Sequence, residues 1–368
     1  MLTNQLGKRA QTNRLHNRQG AVTILVVALT IIMFIVAVFA IDYGYILVVK
    51  TDLQRAADHA ALAAVQDIVP NEDGYQDLSS VESQLQLYTK ENLGEDSFSI
   101  AASDIETGRF DPSNIYSSVT LLSTGVHDTV RVTLRRDDLN NTSVSLFFAR
   151  LIGINNVDVS ATSTAVLQKA RYLTPGTDIL PIAIPEDVWN SSDVGEIWSV
   201  YGNGRILDSE GDELPGNWGT LDVGATSNST SELVDQINNG LRQEDLDFLA
   251  DEGAIPDNTK IDSENPMWLS GDTGLSSGMK SAIQDSHGET KLVPIFDQTN
   301  DGNGGNLDFH VVGWGVVKIV SSQWRGNNNS SVVIQKTYTY DGDLRPQTDL
   351  SNTSQIIEAA YTSPILVQ

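Results

Sequence analysis

The best-spaced hard oxygen donors in this 368-residue sequence lie between Asp297 and Asp308. On a calcium-loop template, Asp297, Thr299 and Asp301 fall at positions 1, 3 and 5, Gly302 at the sharp turn of position 6, and Asp308 at the closing position 12. Carboxylates and a hydroxyl suit calcium, the one cofactor the sequence suggests. Two features oppose it. Asp308 is shorter than the bidentate glutamate usual at the close, and the flanking segments read as strands, not helices. The other reading is a glycine-rich hairpin joining Val293–Phe296 to Phe309–Val317.

Other chemistries find little support. The five histidines, His16, His59, His127, His287 and His310, show no zinc-ligand spacing. There is no cysteine, which excludes disulfides and thiolate sites. No GxSxG elbow or Walker loop occurs, and Gly302-x-Gly304-Gly305 follows acids that would repel phosphate.

A second kind of site is a stripe of small residues, Ala56, Ala60 and Ala64, with Ala57, Ala61 and Ala63 beside it. Small side chains let two helices approach closely. Alanine is also simply the best helix former, so packing and propensity are both open.

The element that carries this stripe is the most pronounced in the chain. Ala21 to Ile41 is an unbroken apolar run of 21 residues whose only polar groups are the hydroxyls of Thr23 and Thr30. As a helix it would be roughly 31 Å long, matching the ~30 Å hydrocarbon core of a bilayer. Helical periodicity continues through Ile46, Val49, Leu53, Ala57, Ala60 and Ala64 until Pro70 stops it. One long helix is predicted, half in the lipid bilayer and half above it.

The charge is split across this helix. Lys8, Arg9, Arg14 and Arg18 precede it with no acid. All 48 acids lie at Asp42 or later, with 19 of the 23 Lys and Arg, a net charge of −29 for that portion. The positive-inside rule predicts a cytoplasmic N-terminus and an extracytoplasmic remainder. Such acidity argues against nucleic acid as a partner. Val38-Phe39-Ala40 would suit signal peptidase, but a secretory signal core is shorter, about 7–15 residues. Gly20-Ala21 is similar to a prepilin processing site, which usually wants Glu five residues on, where this chain has Leu25. The segment is therefore expected to remain as an anchor.

The order of elements is also informative. A basic tail, Arg18-Gln19-Gly20-Ala21-Val22, the apolar span, Asp42-x-Gly44, Leu53-Gln54-x-Ala56-Ala57-Asp58 and Ala60-Ala61-Leu62-Ala63-Ala64 follow one another. This resembles the N-terminal segment of the Tad (tight adherence) Flp pilus-assembly proteins of the TadE/TadG-like type, with His59 where alanine is usual. A helix–glycine–strand passage extends the resemblance to about Leu167. Weaker phrases follow at Leu180–Pro185, Gly216–Asp222, Val293–Asp297 and Phe309–Gly315. Some proteins of this type carry an integrin-like domain with a DxSxS metal motif. Asp349-x-Ser351-x-Thr353 differs by one hydroxyl residue, but Leu344–Thr348 does not read as the buried strand that motif needs. The resemblance implies a non-enzymatic structural or assembly protein of a Tad/Flp-type pilus that supports surface attachment. It would sit in the bacterial cytoplasmic membrane and meet pilus-assembly or pilin proteins through its N-terminal helix.

The remaining segments read as α+β. Val81–Leu93 is predicted as a helix stopped by Gly94. Phe98–Ala102, Glu106–Asp111, Thr129–Arg135 and Asp158–Leu167 are predicted as strands, and Val144–Gly153 as a short apolar helix packed in the core. Residues 168–177 read as a hinge. Beyond it, strands are predicted at Ile179–Ile184, Ile197–Tyr201, Lys291–Phe296, Val311–Ser321, Val332–Tyr340 and Pro364–Gln368, with helices at Ser229–Asn239 and Gly278–Gln284. The domains expected are a basic tail (1–20), a transmembrane helix (21–41), a helical stalk (42–69), a small pilin-like α+β domain (70–170) and a β-rich acidic surface domain (171–368). The competing functions are a tethered extracytoplasmic hydrolase and a ligand-binding envelope protein, but no recognisable catalytic spacing favours the first.

Overall fold

The computed structural model describes residues 3–71, 73–110, 121–122, 126–214, 218–224, 229–253, 266–301, 307–326, 329–341, 344–346 and 357–367. The protein is a mixed α+β molecule. A 64-residue helix, Thr3–Gln66, contains both the apolar run and the alanine stripe. No proline interrupts it. The Thr30 hydroxyl donates to the carbonyl of Val26 at 2.8 Å, so this polar group is satisfied within the helix. From Val22 onward the helix is long and apolar enough to cross a membrane, and its most apolar window is wholly unburied.

The segment read as a helical stalk is helical as far as Gln66 and buries one face. Leu53, Ala56, Ala57, Ala60, Ala61, Ala64, Val65 and Ile68 are all buried. The alanines keep one helix face flat, and the chain's own residues cover it. The second helix, Ser79–Leu93, starts where the Asp77 carboxylate accepts from the Ser79 amide at 3.0 Å, and ends at Gly94, whose φ is +66°.

Two sheets follow. In the first, Thr339–Tyr340, Ala360–Leu366, Val159–Tyr172, Thr129–Arg136, Ile105–Phe110 and Leu121–Leu122 lie side by side, and Arg345–Pro346 adds to Val159–Tyr172. The expected hinge is therefore strand as far as Tyr172: Gln168 and Lys169 pair with Thr362 and Tyr361 near the C-terminal end of the chain. Phe98–Ala102 is irregular rather than a strand, although Phe98 is buried.

The second sheet closes on itself. Thr290–Asp301 runs parallel to Ile182–Pro185, which pairs with Gly219–Leu221, then Met267–Thr273, then Leu307–Gln323, and back to Thr290–Asp301. This ring of five strands is a small barrel. The 17-residue strand Leu307–Gln323 outruns it, and its far half carries Ser331–Lys336, Ile197–Tyr201 and Ile206–Leu207. Phe296 and Phe309 meet edge-on at 4.9 Å within one apolar cluster. Glycine is required beside them, since a Cβ at Gly219 or Gly271 would run into the Phe309 ring and a neighbouring backbone oxygen. Helices Glu186–Ser191, Thr230–Asn239 and Lys280–Asp285 contribute to a second cluster around Trp189, Trp198 and Trp218.

The described chain forms two compact units. One comprises Met1–His59, Tyr88–Asp104 and Thr133–Thr162, and the other Ala60–Leu87, Ile105–Val132 and Ser163–Gln368. These units interleave in sequence, unlike the consecutive blocks 42–69, 70–170 and 171–368. The cause is the burial of the long helix and the return of Ala360–Leu366 to the first sheet.

Because Ala60 is wholly buried, Ala60→Leu is expected to overpack the core and destabilise the protein by about 1–3 kcal/mol, read as a lower melting temperature of the full chain in detergent. An unchanged melting temperature would mean that the stripe faces outward to a partner.

Candidate functional site

One carboxylate draws distant parts of the chain together. Asp42 lies one residue beyond the apolar run and is 3 % exposed. Its Oδ1 accepts from the backbone N–H of Phe147 at 2.8 Å and of Phe148 at 3.2 Å. Its Oδ2 accepts from Phe148 at 2.9 Å and Ala149 at 2.6 Å. These amides open the 3₁₀ turn Ala149–Ile152. The first N–H groups of any helical turn lack partners inside it, and an anion there is favoured. Phe148, at the cap position, offers no side-chain bond, so Asp42 supplies the cap from 106 residues away.

The turn sits in a hairpin closed by Val144–Ser145 against Asn156–Val157 and by the Leu146 amide bonding Asn155 at 2.9 Å. Gly153 reverses the chain at φ +89°. One turn along the long helix, Tyr45 meets Phe147 edge-on at 5.2 Å. The expected apolar helix at Val144–Gly153 is thus a short strand and one 3₁₀ turn. Its apolar side chains divide: Val144, Leu146 and Ala149 are buried as expected, whereas Phe147, Leu151, Ile152 and the following Ile154 are exposed. A groove of about 610 Å³ borders the same helix, lined by Tyr45, Val49, Leu53, Asn92, Arg136 and Ser143 among others. Arg136 there is paired with Glu95 at 2.5 Å and lies over the Phe98 ring.

The oxygen donors of Asp297 to Asp308 are placed differently from a calcium loop. Thr290–Asp301 and Leu307–Gln323 form a continuous antiparallel hairpin in which Thr299 pairs with Phe309 and Asn300 with Asp308. Cross-strand partners share a face and successive residues alternate, so Thr299 and Asp308 point to opposite sides. Asp297, at a register shift, bonds His310 Nδ1 at 2.6 Å. Asp301 is the last residue of its strand, and residues 302–306 lie outside the described residues. The described strands on either side pair as the hairpin reading expects. Among the described residues no group of three or more His, Cys, Asp or Glu side chains forms a metal-ligand set. Asp349 to Thr353 lies outside the described residues.

The histidines are scattered. His59 bonds Asn92 at 2.7 Å, and His127 lies 3.1 Å from the Thr107 hydroxyl. His287 meets the Ser322 hydroxyl at 2.9 Å, but that serine also accepts from the Trp324 indole at 3.1 Å.

The most perturbed acid is one that sequence spacing does not flag. Asp222 is buried beside Glu232, and burial, the Glu232 carboxylate and Asp245 push it up to about 7, against the opposing hydrogen bond from Gln236 Nε2 at 2.9 Å. Its Oδ2 has no partner among the described residues. A proton shared between Asp222 and Glu232 would satisfy it.

Comparison with known families separates these sites. The family model described as Flp pilus-assembly TadE/G-like matches residues 20–67, and that described as Tad-like Flp pilus-assembly matches residues 50–165. Residues 20–165 are thus similar to the Tad Flp pilus-assembly family. No curated protein and no solved structure matches. The Tad portion contains the apolar helix, Asp42, the alanine stripe and the whole hairpin Val144–Val157. Asp222 and Asp297–Asp308 lie beyond it, as do the phrases from Leu180 to Gly315 read as Tad-like. The Tad matches support a role in Flp pilus assembly, and the long apolar N-terminal helix is compatible with membrane anchoring.

Two outcomes follow. Asp42→Ala strips the cap from three amides and is expected to lower the melting temperature, with faster amide exchange at Phe147–Ala149; Asp42→Asn should fall between. Protection unchanged in Asp42→Ala would show that the carboxylate does not hold the turn. For Asp222, the folded value lies above the unfolded one. Its contribution is fully present below about pH 4 and lost as pH rises through about 7. Asp222→Asn should therefore flatten the decline of melting temperature between about pH 4 and 7. An identical decline in wild type and variant would remove Asp222 as its cause.

Proposed function

We propose that the protein is a structural component of Tad/Flp pilus assembly in the bacterial cytoplasmic membrane that acts by position and contact rather than turnover. The single observation that carries this reading is the coincidence of the Tad matches with the apolar helix and the elements bonded to it. The basic tail before Ala21 and the acidic remainder after Asp42 support an N-terminus in the cytoplasm and a body outside. The outward-facing apolar side chains of the long helix, not the buried alanine stripe, are the surface free to meet pilins or assembly proteins within the bilayer. The scattered histidines and the paired charges in the groove support a non-enzymatic role. Surface attachment is the expected result of such assembly.

Tethering supplies local concentration, so a released body should be inactive even when abundant. Deleting the gene is expected to reduce surface filaments and adherence. The full chain should restore them, and a secreted version beginning after Asp42 should not. A reporter fused after Gln368 should be active only outside the cytoplasm. Rescue by the secreted version, or reporter activity in the cytoplasm, would overturn this reading.

A further inference from the structure

We propose that the hairpin Val144–Val157 is a second membrane contact, inserted into the interfacial layer of the same bilayer that the long helix crosses. The proposal rests on the reading of that helix as a membrane span, and commits to lipid as the occupant.

The argument begins with where the apolar surface of the helix ends. It does not end at Asp42. Phe39 and Ile41 are exposed before it, and Tyr43, Tyr45, Leu47 and Val48 are exposed after it. The next charged side chain on the helix is Lys50. Apart from the hydroxyls of Thr23 and Thr30, the outward surface from Val22 to Val48 is apolar or aromatic over roughly 40 Å, which exceeds the ~30 Å hydrocarbon core and takes in an interfacial layer. Tyrosines at one end of a span are what that layer favours. Asp42 therefore lies inside the apolar zone rather than at its edge.

A bare carboxylate at that depth is costly. The structure hides it: Asp42 is 3 % exposed and its two oxygens take three backbone N–H groups from the hairpin. The bonds fix the level of the hairpin, because residues 147–149 stand within hydrogen-bond length of the Asp42 carboxylate. Tyr45 against Phe147 confirms that level one turn higher.

What the hairpin presents at that level is apolar. Leu151 is 82 % exposed, Phe147 and Ile152 each 61 %, and Ile154 50 %. A water-facing loop has no reason to gather Phe147, Leu151, Ile152 and Ile154 around a single turn. A lipid-facing one does, and the exposed Arg150 among them suits phosphate headgroups. The backbone polar groups of the turn are paired by Asp42, by Gly153 to Arg150 at 3.1 Å and by Ile154 to Ala149 at 3.1 Å, as shallow insertion requires.

The chain has no cysteine, so single reporters can be introduced cleanly. The full-length protein would carry Leu151→Cys or, as a span control, Ile32→Cys, each labelled with an environment-sensitive fluorophore and reconstituted in phosphatidylcholine–phosphatidylglycerol vesicles. Both labels should emit blue-shifted, resist an aqueous quencher and be quenched by lipids brominated on their chains, the Leu151 label more strongly by shallow bromines. A lipid-quenched Ile32 label with a water-quenched Leu151 label would overturn the hairpin proposal and leave the anchor intact. Water access at both positions would overturn the anchor reading beneath it. Protection at Leu151 that appears only at high protein-to-lipid ratio would assign the face to a second copy instead and also overturn the proposal. Leu151→Asp with Ile152→Asp, both at exposed positions, should keep the melting temperature in detergent and lose the blue shift of a label placed at Phe147→Cys. A retained shift counts against lipid insertion.

Discussion

A charge cannot stand bare beside 21 apolar residues, and that constraint shapes the N-terminal half of the molecule. Asp42 is answered by Phe147, Phe148 and Ala149, three amides that a 3₁₀ turn leaves open at its start. The bond has two effects. It gives the turn a cap that its own sequence lacks, and it ties the hairpin to one height on the long helix. The same helix then passes its alanines into the interior. Anchor and core are one continuous element.

The C-terminal portion obeys a different constraint, closure. A strand of 17 residues can serve two neighbours along one edge, and Leu307–Gln323 does so, joining Met267–Thr273 to the barrel and Ser331–Lys336 to its extension. Closing five strands brings Phe309 hard against the chain across the barrel, which is why Gly219 and Gly271 stand there. Gly315 makes the same allowance for Trp189 on the other face. Glycine-rich phrases such as Phe309–Gly315 are thus records of tight packing.

Local signals in the sequence were read well where one residue type fixes one geometry. Ser229 caps Thr230–Asn239 as a serine should, accepting from the Glu232 amide, and Gly94 and Gly153 end their turns with positive φ. Ile197–Tyr201 occupies its predicted limits. What was not legible depends on partners far along the chain. Alternation cannot reveal that Met267–Thr273 closes a barrel with Leu307–Gln323, or that Gln168 and Lys169 find Thr362 and Tyr361. The hinge expected over residues 168–177 overlaps the strand Val159–Tyr172, whose last five residues read as polar and irregular. The acidic helix Gln243–Gly253 was missed because its charges mask two buried leucines, Leu246 and Leu249. At the candidate site, hydrophobicity alone could not say whether Phe147–Ile154 faces protein or solvent. The one available hint was a lone aspartate between Ile41 and Tyr43, a costly residue that had to find donors.

The return of Ala360–Leu366 to Val159–Tyr172 sets an order of events in time. The long helix is made before Val159–Tyr172, which follows soon after. That strand must then keep one edge open while nearly 200 further residues are made. Pairings so distant in sequence form slowly. During that interval an unpaired strand edge is exposed to any neighbouring nascent chain. The late arrival of its partner makes the first sheet the natural point for a folding helper to act.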